Sequence, residues 1–229
     1  MSYVLVTANR NYSSWSLRPW ALMTALGIPF EDRVVPFAGA DNWAAFREFS
    51  PTGQVPVLLD GERTVWDSLG ITLYLAERHD GVWPAEADAR TWAQCAVAEM
   101  HGGFAALRND RPMNVGIRVA PTRTSPALAR NVERLAGLWS DGLDRFGGPW
   151  LAGAIFTAAD AFFAPVAFRV RTYGIDLPAA PAAYAERLLA HPAMRAWEAA
   201  ALAERWRDPD HEAELSDVGA IIQDVRAAP

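Results

Sequence analysis

The chain changes pattern near residue 80, and no other feature restricts its fold more. Residues 1–80 mix strand-sized and helix-sized signals, whereas from Ala87 onward only helical patterns recur. Tyr3 to Thr7 reads as a buried strand, Trp15 to Leu26 as a helix closed by Gly27, and Arg33 to Phe37 as a second strand. Val55 to Leu59 and Arg63 to Trp66 flank Asp60-Gly61, a strong hairpin signal. Ser68 to Arg78 is helical again. The order is β-α-β, then β-β-α. A strand, helix and strand in succession predict a parallel pair joined by a crossover. The hairpin adds antiparallel strands.

Beyond residues 79–87 the helical segments are Ala87 to Arg108, Leu128 to Phe146, Ala158 to Arg171, Ala182 to Leu189 and Pro192 to Glu204. No further strand signal is evident, and the polar stretch from Arg205 is expected to cover the surface or fray. The predicted class is therefore α/β plus all-α, with one domain over 1–80 and a helical bundle over 88–229. A cleft between two such domains is a common ligand site.

Composition removes several function classes. The net charge is -6 with no basic cluster, which argues against nucleic acid as a partner. One cysteine, Cys95, excludes an internal disulfide and a CxxC redox pair. No apolar run reaches about 18 residues, so no transmembrane helix is expected. The N-terminus lacks a signal-peptide pattern, and a cytoplasmic location is expected. The four histidines, at 79, 101, 191 and 211, lack metal-ligand spacing, and no metal is expected. Phosphate loops, dinucleotide fingerprints and G-x-S-x-G elbows are also absent.

Three stretches together resemble the cytosolic glutathione S-transferase family: NYSSWSLRPWALMTALGI (11–28), SPTGQVPVLLDGERTVWDSLGITLYLAER (50–78) and GPWLAGAIFTAADAFFAPVAFR (148–169). The S-S-x-S-x-R pattern looks most like the serine-type classes, particularly the zeta class and bacterial relatives. The resemblance implies a thioredoxin-like N-terminal domain, glutathione as co-substrate, a small hydrophobic electrophile as second substrate, a homodimer, and a role in detoxification.

The resemblance places the thiol-activating hydroxyl at Ser13, with Ser14 the competing position. By themselves, serines ahead of a helix are good caps. Pro19 is expected to help mark that helix's first turn. In the family the proline at position 56 is cis, and the Val55 backbone pairs with the cysteinyl unit of glutathione. Asp67 and Ser68 open a helix; they read as caps or, by resemblance, as the site of the γ-glutamyl group. Gln54, Asn42 and Arg18 are candidates for the glycine carboxylate. Met100, His101, Phe104, Arg108, Met113 and Asn114 are candidates for the second-substrate pocket, although Met and Phe at helical spacing are commonly core. Thr157 to Asp160 is a capping-box pattern.

Two other functions fit the same residues. One is a binding or regulatory protein that keeps the fold without turnover. The other is a zeta-like isomerase, against which stands Trp15, where that class has Cys. A glutathione-dependent reductase would want a cysteine at the serine position, and Cys95 lies elsewhere.

Overall fold

The computed structural model describes residues 3–37, 39 and 42–228, without the side chain of residue 216. Elements run β1 (Tyr3–Thr7), α1 (Ser14–Ala25), β2 (Phe30–Val34), α2 (Asn42–Phe46), β3 (Val57–Asp60), β4 (Arg63–Trp66) and α3 (Ser68–Ala76). There follow α4 (Ala87–Gly102), α5 (Ala105–Asp110), β5 (Ile117–Pro121), α6 (Pro126–Phe146), α7 (Ala158–Tyr173), α8 (Ala179–Ala190), α9 (Pro192–Ala203), α10 (Pro209–Ser216) and β6 (Gly219–Asp224).

The first sheet has strand order β2-β1-β3-β4. β1 pairs parallel with β2 and antiparallel with β3, as the β-α-β and hairpin signals predict. β2 begins three residues earlier than expected, because Phe30 pairs with Tyr3 at the start of β1. Val35 N–H closes the ladder on Thr7 C=O at 2.8 Å. Pro36 has no donor with which to extend it.

α7 is the hub of the molecule. It is apolar nearly all round, and Ala158, Ala159, Ala161, Ala164 and Ala167 are all fully buried. Such a helix belongs inside other helices, and α7 packs against α1, α4, α8 and β5. One hydrophobic cluster runs from Leu5 and Leu58 of the sheet through α1 and α7 to Trp197 and Ala201 of α9. The sheet and the helices thus share a continuous core.

The expected capping box forms at the start of α7. Buried Asp160 accepts from Thr157 N–H at 2.9 Å, Leu151 N–H at 3.1 Å and the Tyr184 hydroxyl at 3.0 Å. Burial pushes its pKa up to about 6 against these stabilising donors.

Four expectations need correction. Ala87 to Arg108 is not one helix: it breaks at Gly103, where a Cβ would lie 2.6 Å from the Glu99 carbonyl oxygen, and at Phe104, whose φ is 55°. Strands do occur in the second half, since β5 pairs antiparallel with β6 about a hundred residues away. The segment after Arg205 is accordingly ordered structure, with α10 and β6 joined through Arg226, whose guanidinium meets Glu212 and Asp224 at 2.6 Å each. Pro19 lies in the interior of α1, not in its first turn. It withholds the N–H that would bond the Trp15 carbonyl.

Asp160→Ala leaves three buried donors unmatched and should lower the unfolding free energy by about 3 kcal/mol or more. Its folded-state pKa, about 6, lies above the ordinary aspartate value of 3.8. The stability it confers is therefore full below the lower value and declines as pH rises through the upper one. In denaturant titrations the penalty of Asp160→Ala should be larger near pH 4 than near pH 7. An unchanged midpoint at both pH values would contradict this account of how α7 begins.

Candidate active site

The loop between β1 and α1 is tied down before it reaches the two serines. Tyr12 and Ser13 N–H groups bond the Asn9 carbonyl at 3.1 and 2.9 Å, and Ser14 N–H bonds that of Tyr12 at 2.8 Å. From outside, the buried carboxylate of Glu204 accepts Arg10 N–H at 2.8 Å and Asn11 N–H at 3.4 Å. Trp197 Nε1 donates to the Arg10 carbonyl at 3.0 Å, and Asn11 Nδ2 to the Ala201 carbonyl at 2.7 Å. Burial raises the Glu204 pKa, and the two amides oppose that rise. The Tyr12 hydroxyl donates to Glu212 at 2.6 Å, fixing α10 against the same loop.

Ser13 is the N-cap residue of α1, yet its side chain makes no capping bond. Its hydroxyl donates instead to Ser16 Oγ at 2.7 Å, which also receives Ala8 N–H at 3.4 Å. Ser14 is the first residue of the helix, and its hydroxyl has no partner among the described residues. Both serines line a cleft of about 820 Å³.

Val55, Pro56, Gln54, Asp67 and Ser68 line the same cleft. The Val55-Pro56 peptide bond is cis. Val55 precedes β3, and its N–H and C=O bond no described residue. A backbone pair left open in this way marks a place for a partner.

Asp67 caps α3. Its Oδ1 accepts from Leu69 N–H at 2.8 Å and Gly70 N–H at 3.0 Å, and its Oδ2 meets His101 Nε2 at 3.1 Å. Asp67 thus caps α3 and meets His101 while lining the cleft. Ser68 is the reverse: it is fully buried, and its hydroxyl has no partner among the described residues. Capping therefore explains Asp67 but not Ser68.

Of the other candidates, Arg108, Met113, His101 and Asn42 line the cleft. Met100 and Phe104 do not. Met100 is fully buried in the main core and Phe104 is 6% exposed there. Helical spacing could not reveal which face of α4 turned inward, and the break after Gly102 redirects Phe104. Asn114 is buried, with its Nδ2 toward Glu212 at 3.5 Å, and Arg18 is buried beneath Trp15, away from the cleft wall. Neither lines the cleft.

Several lining residues were missed, among them Tyr12, Phe37, Arg169, His211 and Glu214. His211 stacks between Tyr12 and Phe37, with ring centroids 5.0 and 4.7 Å away, and its Nδ1 meets Asp208 at 2.5 Å. Only a fold that returns its last helix to the first loop brings these residues together, and no local motif announces that.

Residues 12–78 match the family model of the glutathione S-transferase N-terminal domain. Over those residues the chain is similar to that domain. The chain's whole fold is that of the glutathione transferases. A glutathione transferase homologue from Burkholderia GL BGR1, solved with bound glutathione, superposes with a TM-score of 0.65 at 23% identity, covering 86% of this chain and 96% of that one. A glutathione S-transferase from Rhodospirillum rubrum F11 gives 0.64 at 20% identity over 93% and 99%. In sequence, the chain is similar to a dichloromethane dehalogenase of Methylorubrum extorquens, 44% identical over 61 residues. That segment is 26% of this chain and 21% of the dehalogenase. A zeta-class glutathione S-transferase of Euphorbia esula is 24% identical over 174 residues, 74% of this chain and 77% of the relative. Among the described residues no group of His, Cys, Asp and Glu is placed to hold a metal, and no helix is long and apolar enough to cross a membrane.

Glu204→Ala strips the acceptor from two buried amides and should cost about 2 kcal/mol of stability. Hydrogen exchange at the Arg10 and Asn11 amides should accelerate relative to that at the β1 amides. Equal acceleration everywhere, or none, would show that Glu204 does not hold this loop.

Proposed function

We propose that the chain is a glutathione transferase that binds glutathione in this cleft, ionises its thiol beside Ser13 and adds it to a small electrophile. One observation carries the proposal. Ser13, Ser14, the Val55 backbone and Ser68, drawn from separate stretches, present polar groups that no cap or ladder uses, and all line one cleft.

Each group has a chemical counterpart in glutathione. The Val55 N–H and C=O suit its cysteinyl backbone, paired like a short added strand. The Ser68 hydroxyl and N–H, at the start of α3, suit its γ-glutamyl carboxylate. The thiol then falls to the serines ahead of α1, where the helix end favours an anion. The Ser13 hydroxyl turns from Ser16 Oγ to donate to sulfur. Ser16 Oγ keeps its contact with Ala8 N–H.

The energetics set the division of labour. A free thiol has a pKa of about 8.5, so about 3% is thiolate at pH 7. Lowering it by about two units takes about 2.7 kcal/mol and makes roughly three quarters thiolate. Nucleophilicity falls with pKa and cancels about eightfold of that gain. Most of the acceleration must therefore come from holding the thiolate against the electrophile. Trp15, standing where the zeta class has Cys, favours transfer over a zeta-like isomerisation. The chain is proposed to act as a homodimer, with residues 1–80 holding glutathione and 88–229 the second substrate.

The test is ultraviolet titration of bound glutathione thiolate against pH. Wild type should show a thiol pKa about two units below the free value of about 8.5. Ser13→Ala should restore it while leaving glutathione affinity within about threefold, a loss smaller than one charged hydrogen bond. Restoration by Ser14→Ala alone would move the role to Ser14. Binding without any shift would leave a glutathione-binding protein and no transferase.

A further inference from the structure

Two arginines, Arg108 and Arg169, line the helical side of the cleft, with a third, Arg18, behind Trp15, and among the described residues none of the three has an ion-pair partner. Arg18, from α1, is 1% exposed, and its Nε and Nη1 have no partner among the described residues. Its guanidinium carbon lies 4.0 Å from the Trp15 ring centroid, and that of Arg108 lies 5.3 Å from the same ring. Arg169, from α7, is 3% exposed and lines the cleft together with Arg108 and Trp15. Its Nε and Nη1 bond the Arg111 and Pro165 carbonyls at 2.8 and 3.3 Å. Arg108 Nη1 bonds the Met100 carbonyl at 3.1 Å. Carbonyls orient these guanidinium groups but do not neutralise them.

Three other sheltered arginines are ion-paired, while Arg111, 4% exposed, bonds the Asp110 and Arg123 carbonyls at 2.7 and 2.8 Å. Arg10 meets Asp32 at 2.5 Å, Arg171 meets Glu198 at 2.6 Å and Arg226 meets Glu212 at 2.6 Å. Among the described residues no ion pair reaches Arg18, Arg108 or Arg169. Asp67 is the one carboxylate that favours the charge on Arg18, and it is occupied in capping α3 and meeting His101. Glu214, the other acid on the wall, pairs with none of them. Burial lowers the pKa of all three arginines, and Arg169 and Arg108 lower that of Arg18 further. Burial holds the His101 pKa down, Asp67 opposes this, and Arg18 and Arg108 lower it further.

Uncompensated buried charge is costly, and a protein keeps it where a ligand supplies the opposite sign. Arginine is suited to a planar carboxylate, which it can meet with two parallel N–H groups. Trp15, Pro112 and Met113 on the same wall offer apolar surface beside the charges. We propose that this side of the cleft is a subsite for a carboxylate on the second substrate, held by Arg108 and Arg169 with Arg18 behind, and that the preferred electrophile joins an apolar body to that anionic group. The inference rests on the transferase reading for its statement that the occupant is an electrophile.

The test is calorimetric titration of the intact protein, at saturating glutathione, with benzoate and with benzamide, which match in size and differ in charge. Benzoate should bind at least about tenfold more tightly, as a charged hydrogen-bonded contact requires. Arg108→Gln, checked for native circular dichroism, should remove most of that preference and leave benzamide unchanged. Equal affinities for the two probes in wild type overturn the proposal without using any variant. Displacement of benzoate by glutathione also overturns it, since the arginines would then serve glutathione itself. So does a benzoate preference that survives Arg108→Gln while the bound thiol pKa rises, which would assign the charges to the thiolate. Glutathione titrated alone separates the two readings: if it fails to bind while benzoate keeps its preference, the transferase reading falls and the anion subsite stands.

Discussion

The candidate site depends on one buried carboxylate from the far end of the helical region. Glu204, just past α9, accepts the Arg10 and Asn11 amides and so fixes the loop that delivers Ser13 and Ser14. Hydrogen bonds to a charged group are worth about 1.5–3 kcal/mol each, more than neutral ones. Burial raises the Glu204 pKa, and its donors repay that cost only while the loop stays in place. The Trp197 indole and the Ala201 carbonyl hold the same loop from α9. The serines therefore sit where residues almost two hundred positions later put them.

The same logic extends outward from that contact. α10 follows Glu204, and Asp208 at its N-cap accepts Gly39 N–H at 3.0 Å. Glu212 of α10 binds the Tyr12 hydroxyl and Arg226, and Arg226 in turn holds Asp224 of β6. β6 then pairs with β5. The C-terminal segment is in this sense a clasp over the β1–α1 loop. Beneath it, α7 gives both halves a common floor, small enough in its side chains to let α1 and α4 approach closely.

Local signals in the sequence carried the local parts of this structure. Asp60-Gly61 specified the hairpin, Thr157 to Asp160 specified the start of α7, and the resemblance implied the cis bond at Pro56. Non-local parts had no comparable signal. β5 reads as IRVAP, and its strand partner lies about a hundred residues further along the chain. Glu204 looks like the polar end of an amphipathic helix, and nothing nearby says that it will be buried. Met100 and Phe104 were misplaced because periodicity shows that a face is apolar but not what it meets. The Gly102-Gly103 pair was the available hint that α4 would break there. Arg18, one turn into α1, suggested a ligand contact; its position behind Trp15 required the packing of α7 against α1 to be known.

The most direct test of the central claim is a crystal structure with glutathione bound. The account predicts the sulfur within about 3.5 Å of Ser13 Oγ, the cysteinyl backbone paired with the Val55 N–H and C=O, and the γ-glutamyl carboxylate on the Ser68 hydroxyl. Sulfur placed on Ser14 would change the activating residue. Glutathione bound outside this cleft, or with its thiol turned away from the start of α1, would contradict the account as a whole.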